Sequence, residues 1–276
     1  MTTDEAAAPG NGRPGSLPFD TSKAHQARMY DYVLGGKDNY AADRAAAEAW
    51  VKTDPATVFT VQANRAFLGR AVGYLAGEAG VRQFLDIGTG IPTAGNTHEV
   101  AQAVAPEARV MYVDYDPIVL AHARALLTSG DAGATEYIEA DLRDADTILE
   151  RVGQFLDLSK PVAITLVAIL HAIPAADDPH ALVGRLLGAV PPGSYLALTH
   201  LAADLLDPET RASLEGLSGR TMQQRITARD RAEVVRFFAG TDLVDPGIVR
   251  PEEWRPAPGT STASRSTLWA AVGRRR

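Results

Sequence analysis

Several absences limit what this 276-residue chain can do. It has no cysteine, which excludes disulfides, cysteine zinc sites and thiol nucleophiles. Its six histidines show no close metal-ligand spacing, so we expect no metal site. It also has no apolar run of membrane length, and its net charge of −7 argues against nucleic acid as the main partner. Because a signal peptide is not evident either, we expect a cytoplasmic protein that binds neither membranes nor nucleic acid.

An apolar run that ends in an acid and is followed by two glycines organises the chain. Asp86 ends this run, and Gly88 and Gly90 follow at a spacing of two. The run predicts a buried parallel strand, and the glycines predict a turn where a ligand approaches the backbone. Asn96 and Glu99 then form a capping-box pair that predicts the start of a helix. Strand, glycine turn and helix form the first unit of a doubly wound nucleotide-binding fold, with the ligand over the carboxyl end of the strand.

The spacing of this motif narrows the class of ligand. Thr93 stands where a dinucleotide fingerprint has its third glycine, and no lysine follows the glycines as in a P-loop. The pattern Asp86-x-Gly88-x-Gly90 resembles motif I of the class I methyltransferases, which bind S-adenosylmethionine. That resemblance implies that Asp86 serves the amino end of the ligand and that the two glycines make room for it.

The chain before this motif differs in character. Residues 1–18 are rich in Ala, Pro and Gly, and we predict a disordered tail. Residues 19–80 show helical patterns and no strand pattern, which predicts a helical N-terminal cap before a Rossmann-like domain at 81–276. The segment 30–40 combines two glycines with three aromatic residues. It is either the end of one helix and the start of the next, or a lid that closes on a bound ligand.

The motifs together resemble one bacterial family of S-adenosylmethionine-dependent methyltransferases, class I and Rossmann-like, long catalogued as a domain of unknown function. The likeness covers nearly everything from Phe19 onward and is carried by residues 19–23, 25, 28–32, 34–39, 64–68, 86–93, 96–100 and 112–120. It implies S-adenosylmethionine as the cofactor and supplies no substrate. With this resemblance, Tyr32, Gly36 and Asn39 of the proposed lid become candidates for cofactor binding.

A second predicted strand, 109–114, also ends in an acid. Asp114 lies 28 residues after Asp86 and could accept both ribose hydroxyls. Asp116 competes for this role, but Pro117 follows it, and a proline at the first helical position makes Asp116 a candidate N-cap. Tyr115 lies between the two acids and is a candidate to flank the adenine.

Later strand ends supply the remaining candidates. By resemblance, Asp141 and Leu142 would contact the adenine amino group and ring, whereas Asp141 could instead cap the next helix, as Asp144 could. The strand predicted at 161–171 ends beside the glycine turn, so Ala168 and Ile169 are expected to line the pocket near the transferred methyl group.

Two histidines follow predicted strands and are candidates for chemistry. His171 is the best candidate for a proton acceptor, since imidazole titrates near neutral pH, but packing at the strand end is the alternative. His200 ends the fifth strand and either faces the substrate or caps the strand. Positioning of the reactants without a base would also suffice for methyl transfer.

These observations predict an α/β fold with a doubly wound, mainly parallel seven-stranded sheet and a helical N-terminal cap. We expect an S-adenosylmethionine-dependent methyltransferase that acts on a small-molecule acceptor, without a metal. The alternatives are a non-catalytic S-adenosylmethionine-binding sensor and a nicotinamide-dependent oxidoreductase. A homodimer is an option that the sequence leaves open.

Overall fold

The structure, a computed structural model, describes residues 20–126, 132–260 and 265–276. The predicted tail at 1–18 lies outside the described residues. No helix in the described ranges combines the length and apolar character that a membrane span requires. The same ranges hold no cluster of His, Cys, Asp and Glu side chains that could bind a metal ion.

A seven-stranded sheet forms the centre of the molecule. Its strands are β1 (Gln83–Ile87), β2 (Arg109–Asp114), β3 (Ala134–Glu139), β4 (Ala163–Val167), β5 (Tyr195–Leu201), β6 (Thr241–Leu243) and β7 (Leu268–Arg275). Their order is β3-β2-β1-β4-β5-β7-β6, and β7 runs antiparallel to both of its neighbours. The other pairings are parallel, so the predicted mainly parallel, doubly wound sheet is confirmed. The strand order reverses direction at β1 and β4, where such folds bind ligands.

Nine α-helices are present in the described ranges. They are α1 (Gln26–Val33), α2 (Ala41–Thr53), α3 (Thr57–Gly77), α4 (Thr97–Val104), α5 (Pro117–Leu126), α6 (Ala145–Phe155), α7 (Pro179–Gly188), α8 (Pro208–Thr221) and α9 (Arg231–Arg236). The predicted capping box is confirmed, because Asn96 and Glu99 reciprocally cap α4. Asp116 accepts from the backbone N–H of Ile118 at 2.9 Å, next to Pro117 at the first position of α5.

Successive strand residues face opposite sides of the sheet and build two cores. Leu85 belongs to the core formed with α6, α7 and α9. Phe84 belongs to the core on the other face, where it joins Phe67 and Leu75 of α3 and the fully buried Trp254. Helix α3 is therefore one layer of the α/β sandwich, and the predicted boundary near residue 80 falls between a helix and a strand that pack together.

Helices α1, α2 and α8 form the cap above the carboxyl ends of the strands. Ala47 of α2, Met222 after α8 and Leu268 of β7 share a third apolar cluster. Helix α8, which follows β5 in the chain, is the third helix of this cap. The cap thus combines the N-terminal helices with a helix that follows β5.

Two elements near the C-terminus begin or end differently from what the local sequence pattern indicates. Thr227 with Asp230 three residues later is the pattern of a capped helix start, but α9 begins after Asp230, which accepts from Glu233 N at 2.8 Å, while Thr227 N donates to His171 O. The apolar pairs Leu243-Val244 and Ile248-Val249 indicate a strand, but β6 ends at Leu243, and Gly247, with φ of +82°, turns the chain. Val249 then pairs with β7 only as an isolated bridge.

Candidate functional site

A cavity of about 1100 Å³, open at its mouth, lies at the carboxyl ends of β1, β2 and β4, under helix α1. Eight of the eleven residues predicted to bind cofactor line it: Asp86, Gly88, Gly90, Asp114, Tyr115, Asp141, Leu142 and Ala168. They come from four separate parts of the chain, and the parallel sheet brings them to one edge. We call this space the first cavity.

Asp86 is held in place by hydroxyl groups at the end of β1. Its two carboxylate oxygens accept from Thr97 Oγ1 and Thr165 Oγ1, each at 2.6 Å. Burial raises the pKa of this carboxyl above its usual value, although both threonine hydrogen bonds act to lower it. The two threonines fix the direction of the carboxylate, which is suited to a ligand carrying an amino group.

The two glycines of the motif have left-handed backbone conformations, with φ of +76° at Gly88 and +67° at Gly90. A Cβ atom on Gly88 would also lie 2.7 Å from the Ile169 side chain. A Cβ on Gly90 would meet no atom closer than Ala27 at 3.9 Å. Glycine is therefore required at position 88 both for the left-handed backbone conformation and for the close approach of Ile169. At position 90 it is required for the backbone conformation alone.

Asp114 is anchored by the glycine turn itself. One of its oxygens accepts from Gly90 N at 2.9 Å and the other from Asp116 N at 3.0 Å. Burial raises the pKa of Asp114 to about 6, with the backbone hydrogen bonds opposing the shift. Each carboxylate oxygen has a second lone pair, so the group retains capacity to accept two hydroxyl donors.

Asp141 and Arg143 form an ion pair at the edge of the first cavity. Asp141 Oδ1 accepts from the Arg143 backbone N and from its Nε, both at 2.9 Å. The Arg143 hydrogen bond lowers the pKa of Asp141. Asp144, rather than Asp141, caps α6 by accepting from Thr147 N at 3.1 Å. Asp141 therefore does not cap α6, which was the alternative to its proposed contact with the adenine.

A buried polar chain connects the cap to the end of β2. His25 Nδ1 lies 3.1 Å from Asp116 Oδ2, and its Nε2 lies 2.9 Å from the Tyr115 hydroxyl. The backbone N–H of Ala27 also donates to His25 Nδ1 at 3.3 Å, so His25 caps the start of α1. Arg28 donates to Asp43 through Nε at 3.0 Å and to Asp116 at 3.4 Å. This chain, together with Asp43, fixes α1 over the first cavity.

Three sequence-predicted residues lie outside both cavities described in this section. Tyr32 donates its hydroxyl to Glu48 Oε1 at 2.9 Å, and Asn39 Nδ2 donates to Asp31 Oδ2 at 2.8 Å. A Cβ on Gly36 would lie 1.9 Å from Asp31 Oδ1, so this glycine is needed where the backbone passes the carboxylate. The loop after α1 is thus folded around Asp31, and the residues that face the first cavity come from the beginning of α1 instead.

Ala168 has a strained backbone at the end of β4, with φ of +57° in a residue that has a Cβ. Its N–H donates to Thr199 Oγ1 at 2.9 Å, and its carbonyl accepts from Gln26 Nε2 at 2.5 Å. Side chains on β5 and α1 therefore hold this turn in place. Ala168 and Ile169 both line the first cavity, as predicted from the end of the strand.

His171 lies in a short 3-10 turn after β4 and is buried. Gln26 Nε2, which donates to the Ala168 carbonyl, lies 2.6 Å from His171 Nε2. Nε2 therefore accepts, and the ring proton is on Nδ1, which has no hydrogen-bond partner among residues 20–126, 132–260 and 265–276. Burial lowers the pKa of His171 to about 4. A neutral imidazole whose Nε2 lone pair is occupied is a weak proton acceptor, so this environment opposes the predicted catalytic role.

His200 lies beside His171 but serves the fold. Its Nδ1 lies 2.8 Å from the Leu201 carbonyl, and Arg229 donates to its Nε2 at 2.8 Å. Burial holds the pKa of His200 well below its usual value. Arg229 also donates to the Leu170 and Ile173 carbonyls, which fixes the turn that carries His171. His200 has both ring nitrogens engaged, and it lines neither cavity.

A second cavity of about 700 Å³ adjoins the first, between the cap and the ends of β5 and β7. Its lining residues are Gln26, Met29, Tyr30, Val33, Ala47, Trp50, Thr57, Thr60, Val61, Asn64, Ala168, His171, Leu201, Met222, Ile226, Thr267 and Leu268. Four of them, Gln26, Tyr30, Asn64 and Ala168, also line the first cavity. The two cavities therefore meet at the end of β4.

Several lining residues were absent from the sequence-predicted site. Gln26 and Tyr30 lie four positions apart on α1, a spacing that places them on one helix face. Asn64 is buried on α3 among mainly apolar residues, and a buried amide in such a position is the sequence signal that could have indicated it. Gln224 follows α8, far along the chain, and only the folded structure brings it to the first cavity.

The strand order, with one antiparallel strand next to the edge, and the acid-lined cavity at the strand ends define a class I methyltransferase. A profile described as S-adenosyl methyltransferase matches residues 14–276. The chain belongs to this family, and S-adenosylmethionine is its cofactor. Family membership favours the methyltransferase over the oxidoreductase and the non-catalytic sensor.

Two solved structures are similar over nearly the whole chain. A DUF574 family protein from Streptomyces avermitilis is 45% identical, with a TM-score of 0.89, covering 93% of this chain and 99% of that protein. A candidate methyltransferase from Thermobifida fusca is 41% identical, with a TM-score of 0.84, covering 93% and 97%. An O-methyltransferase family protein from Burkholderia thailandensis shares the fold at 17% identity and a TM-score of 0.51, covering 83% and 62%. A comparison with curated proteins finds no match.

The first cavity suits the adenosyl cofactor on physical grounds. Gly88 and Gly90 line this cavity with backbone alone, and a Cβ at Gly88 would clash with the Ile169 side chain of the same lining. Gln224 Oε1, in the lining of the same cavity, is buried and has no hydrogen-bond partner in the described part of the chain. Carboxylates at the ends of β1, β2 and β3 supply acceptors for amino and hydroxyl groups. These features match a ligand that carries an amino group and a ribose.

Proposed function

We propose that the first cavity holds S-adenosylmethionine and that the protein transfers its methyl group to a small molecule. The observation that carries this proposal is the arrangement of three acids at successive strand ends around the glycine turn. When bound, the cofactor supplies a sulfonium methyl group: the acceptor atom forms a bond to carbon, the carbon–sulfur electron pair stays on sulfur, and the acceptor's proton leaves to water.

We assign separate parts of the cofactor to separate residues. Asp86 accepts from the amino group, and its two threonine partners keep the carboxylate directed. Asp114 accepts from the ribose hydroxyls, and its hydrogen bond from Gly90 N ties that role to the glycine turn. Tyr115 flanks the adenine, and Asp141 with Leu142 contacts the adenine edge.

The protein's contribution to catalysis is alignment of the two reactants. The strained turn at Ala168 lies where the two cavities meet, and Gln26 and Thr199 hold it by hydrogen bonds. We therefore propose that the methyl group is presented at this turn. Positioning of the two reactants accounts for the catalysis, because the His171 imidazole is held neutral and its Nε2 is occupied.

Calorimetric titration with S-adenosylmethionine, S-adenosylhomocysteine and NADH tests the proposal. We expect binding of the two sulfur ligands and none of NADH. Mass spectrometry of the denatured protein checks first for copurified cofactor. Failure of both sulfur ligands to bind the cofactor-free protein would contradict the assignment of the first cavity.

A cytoplasmic location and a homodimer stay predictions.

A further inference from the structure

The second cavity differs from the first in charge. Among the described residues that line it, none is Asp, Glu, Lys or Arg, whereas the lining of the first cavity includes three acids and an arginine. His171 adds no charge near neutral pH, because burial lowers its pKa to about 4. An ionised ligand would lose its hydration in this space without gaining a partner of opposite charge. The second cavity therefore favours an uncharged molecule.

The walls of the second cavity are largely apolar. Trp50 supplies an aromatic surface, and Met29 and Met222 supply adaptable side chains on the facing elements. Ile226 and Leu268 extend the same surface. This lining suits a ring-bearing or aliphatic small molecule better than a peptide or a nucleic acid.

Asn64 brings an unsatisfied acceptor to the place where the cavities meet. Its Nδ2 donates to the Tyr30 hydroxyl at 3.0 Å, and that hydroxyl donates to the Val61 carbonyl at 3.0 Å. Because the Tyr30 proton is used, its oxygen must accept from the amide nitrogen, and the orientation of the Asn64 amide is fixed. Asn64 Oδ1 is buried and has no partner among the described residues, although the residue is only 1% exposed.

His171 supplies the complementary group. Its Nδ1–H is buried without a partner in the described part of the chain, and the residue lines the second cavity. Buried polar atoms are nearly always hydrogen-bonded, so two orphans around one cavity call for a ligand that completes them. An alcohol, phenol or amine has both a donor for Asn64 Oδ1 and a lone pair for a donor.

We infer that the second cavity binds the methyl acceptor, an uncharged and largely apolar small molecule whose hydroxyl or amine group donates to Asn64 Oδ1. This inference rests on the proposed function, because it places the acceptor next to the cofactor in the first cavity. Asn64 lines both cavities, so a group bound to it lies where the methyl group is presented. His171 and Asn64 are then positioning residues, which hold the reacting group without moving its proton.

Binding of matched naphthalene derivatives tests the inference. With S-adenosylhomocysteine at saturation, naphthyl fluorescence reports binding of 2-naphthol, 2-methoxynaphthalene and 2-naphthoate. We expect 2-naphthol to bind about fivefold more tightly than the methoxy compound, which has no donor. We expect it to bind at least about tenfold more tightly than the anionic 2-naphthoate. Equal or tighter binding of 2-naphthoate, or no binding of 2-naphthol, would overturn the inference.

Three variants locate the probe and separate its contacts. Asn64→Leu should abolish the preference for 2-naphthol over the methoxy compound. Trp50→Ala should weaken both compounds alike and leave their ratio unchanged. Val58→Ala, at an exposed position of the same helix as Asn64, should change neither. A preference that survives in Asn64→Leu would remove Asn64 from the acceptor site.

These experiments distinguish failure of the proposed acceptor site from failure of the proposed cofactor site. Calorimetry with S-adenosylhomocysteine is measured on every variant, and it also shows that each variant is folded. Normal S-adenosylhomocysteine binding with no 2-naphthol binding would overturn the acceptor site and leave the cofactor site standing. Loss of S-adenosylhomocysteine binding in the unmodified protein would instead overturn the cofactor assignment.

Discussion

The two cavities are neighbours with opposite chemistry and different origins. The first takes its acids and glycines from strand ends, where the parallel sheet places short motifs side by side. The second takes its apolar walls from α1, α2, α3, β7 and the segment after α8. The sheet thus builds the charged site that we propose for the cofactor, and the cap builds the neutral site that we propose for the acceptor.

Helix α1 is the wall that both cavities share, since Gln26 and Tyr30 line each of them. Its position depends on the buried contacts of Arg28 with Asp43 and Asp116. A change at this wall should therefore affect both sites, whereas a change at the glycine turn or at Asp114 should affect only the first.

The largest effect is expected from Arg28→Met. It leaves the buried carboxylates of Asp43 and Asp116 without their arginine, and breaking one side of a buried ion pair costs about 3–5 kcal/mol. We expect the free energy of unfolding in urea to fall by that amount and both cavities to lose affinity. Lys160→Met breaks the exposed pair with Asp157 and should leave the unfolding midpoint unchanged. An equally small change in Arg28→Met would contradict the anchoring role.

The glycine turn offers a matched pair of variants. Gly88 and Gly95 have nearly the same φ, +76° and +77°, but only the Cβ at Gly88 would meet another side chain. Gly88→Ala should weaken S-adenosylhomocysteine by more than about tenfold, because it adds a clash to the strain. Gly95→Ala adds only the strain and should leave affinity within about twofold. Calorimetry on both variants separates these effects, and equal losses would show that conformation alone matters.

Asp114→Ala removes two acceptors from the proposed ribose site. We expect the affinity for S-adenosylhomocysteine to fall by about 1–3 kcal/mol while binding of 2-naphthol stays the same. Asp144→Ala removes an exposed helix cap outside both cavities and serves as the control. Unchanged affinity in Asp114→Ala would remove this acid from the site.

The pH dependence should also distinguish the cavities. The pKa of Asp114 is raised to about 6, so the carboxylate that accepts from the ligand is present above that pH and is protonated below it. Affinity for S-adenosylhomocysteine should therefore fall as the pH is lowered. At one pH unit below the pKa of Asp114, the expected loss of affinity is about tenfold. Binding of 2-naphthol should stay constant over pH 5–7, since His171 titrates near 4. An Asp114→Asn variant that keeps the wild-type pH profile would assign the titration to another group.

The sequence indicated the first cavity well because its signals are local. An acid at a strand end, two glycines and a capping pair lie within 14 residues of Asp86, and the parallel pairing rule then brings Asp114 to the same edge. The resemblance supplied Asp141 and Leu142, which the structure places in the same lining. Local patterns and sheet geometry were sufficient for these residues.

The cap was harder to predict because its contacts are between distant parts of the chain. The family resemblance and the glycine and aromatic content of the loop made Tyr32, Gly36 and Asn39 candidates, but hydrogen bonds from Asp38 N and Asn39 Nδ2 to Asp31 fold this loop on itself. Gln224 lies 199 residues after His25, which it approaches to 3.2 Å. A periodic pattern within one segment cannot indicate such a contact. The tautomer of His171 likewise depends on a residue far away in the chain, Gln26.

A crystal structure of the protein with S-adenosylhomocysteine and 2-naphthol would show which cavity each ligand occupies. We expect the ribose at Asp114, the sulfur beside the turn at Ala168, and the naphthol hydroxyl within hydrogen-bond distance of Asn64 Oδ1. Density for the nucleoside in the second cavity, or for the naphthol away from Asn64 and Ala168, would contradict this expectation.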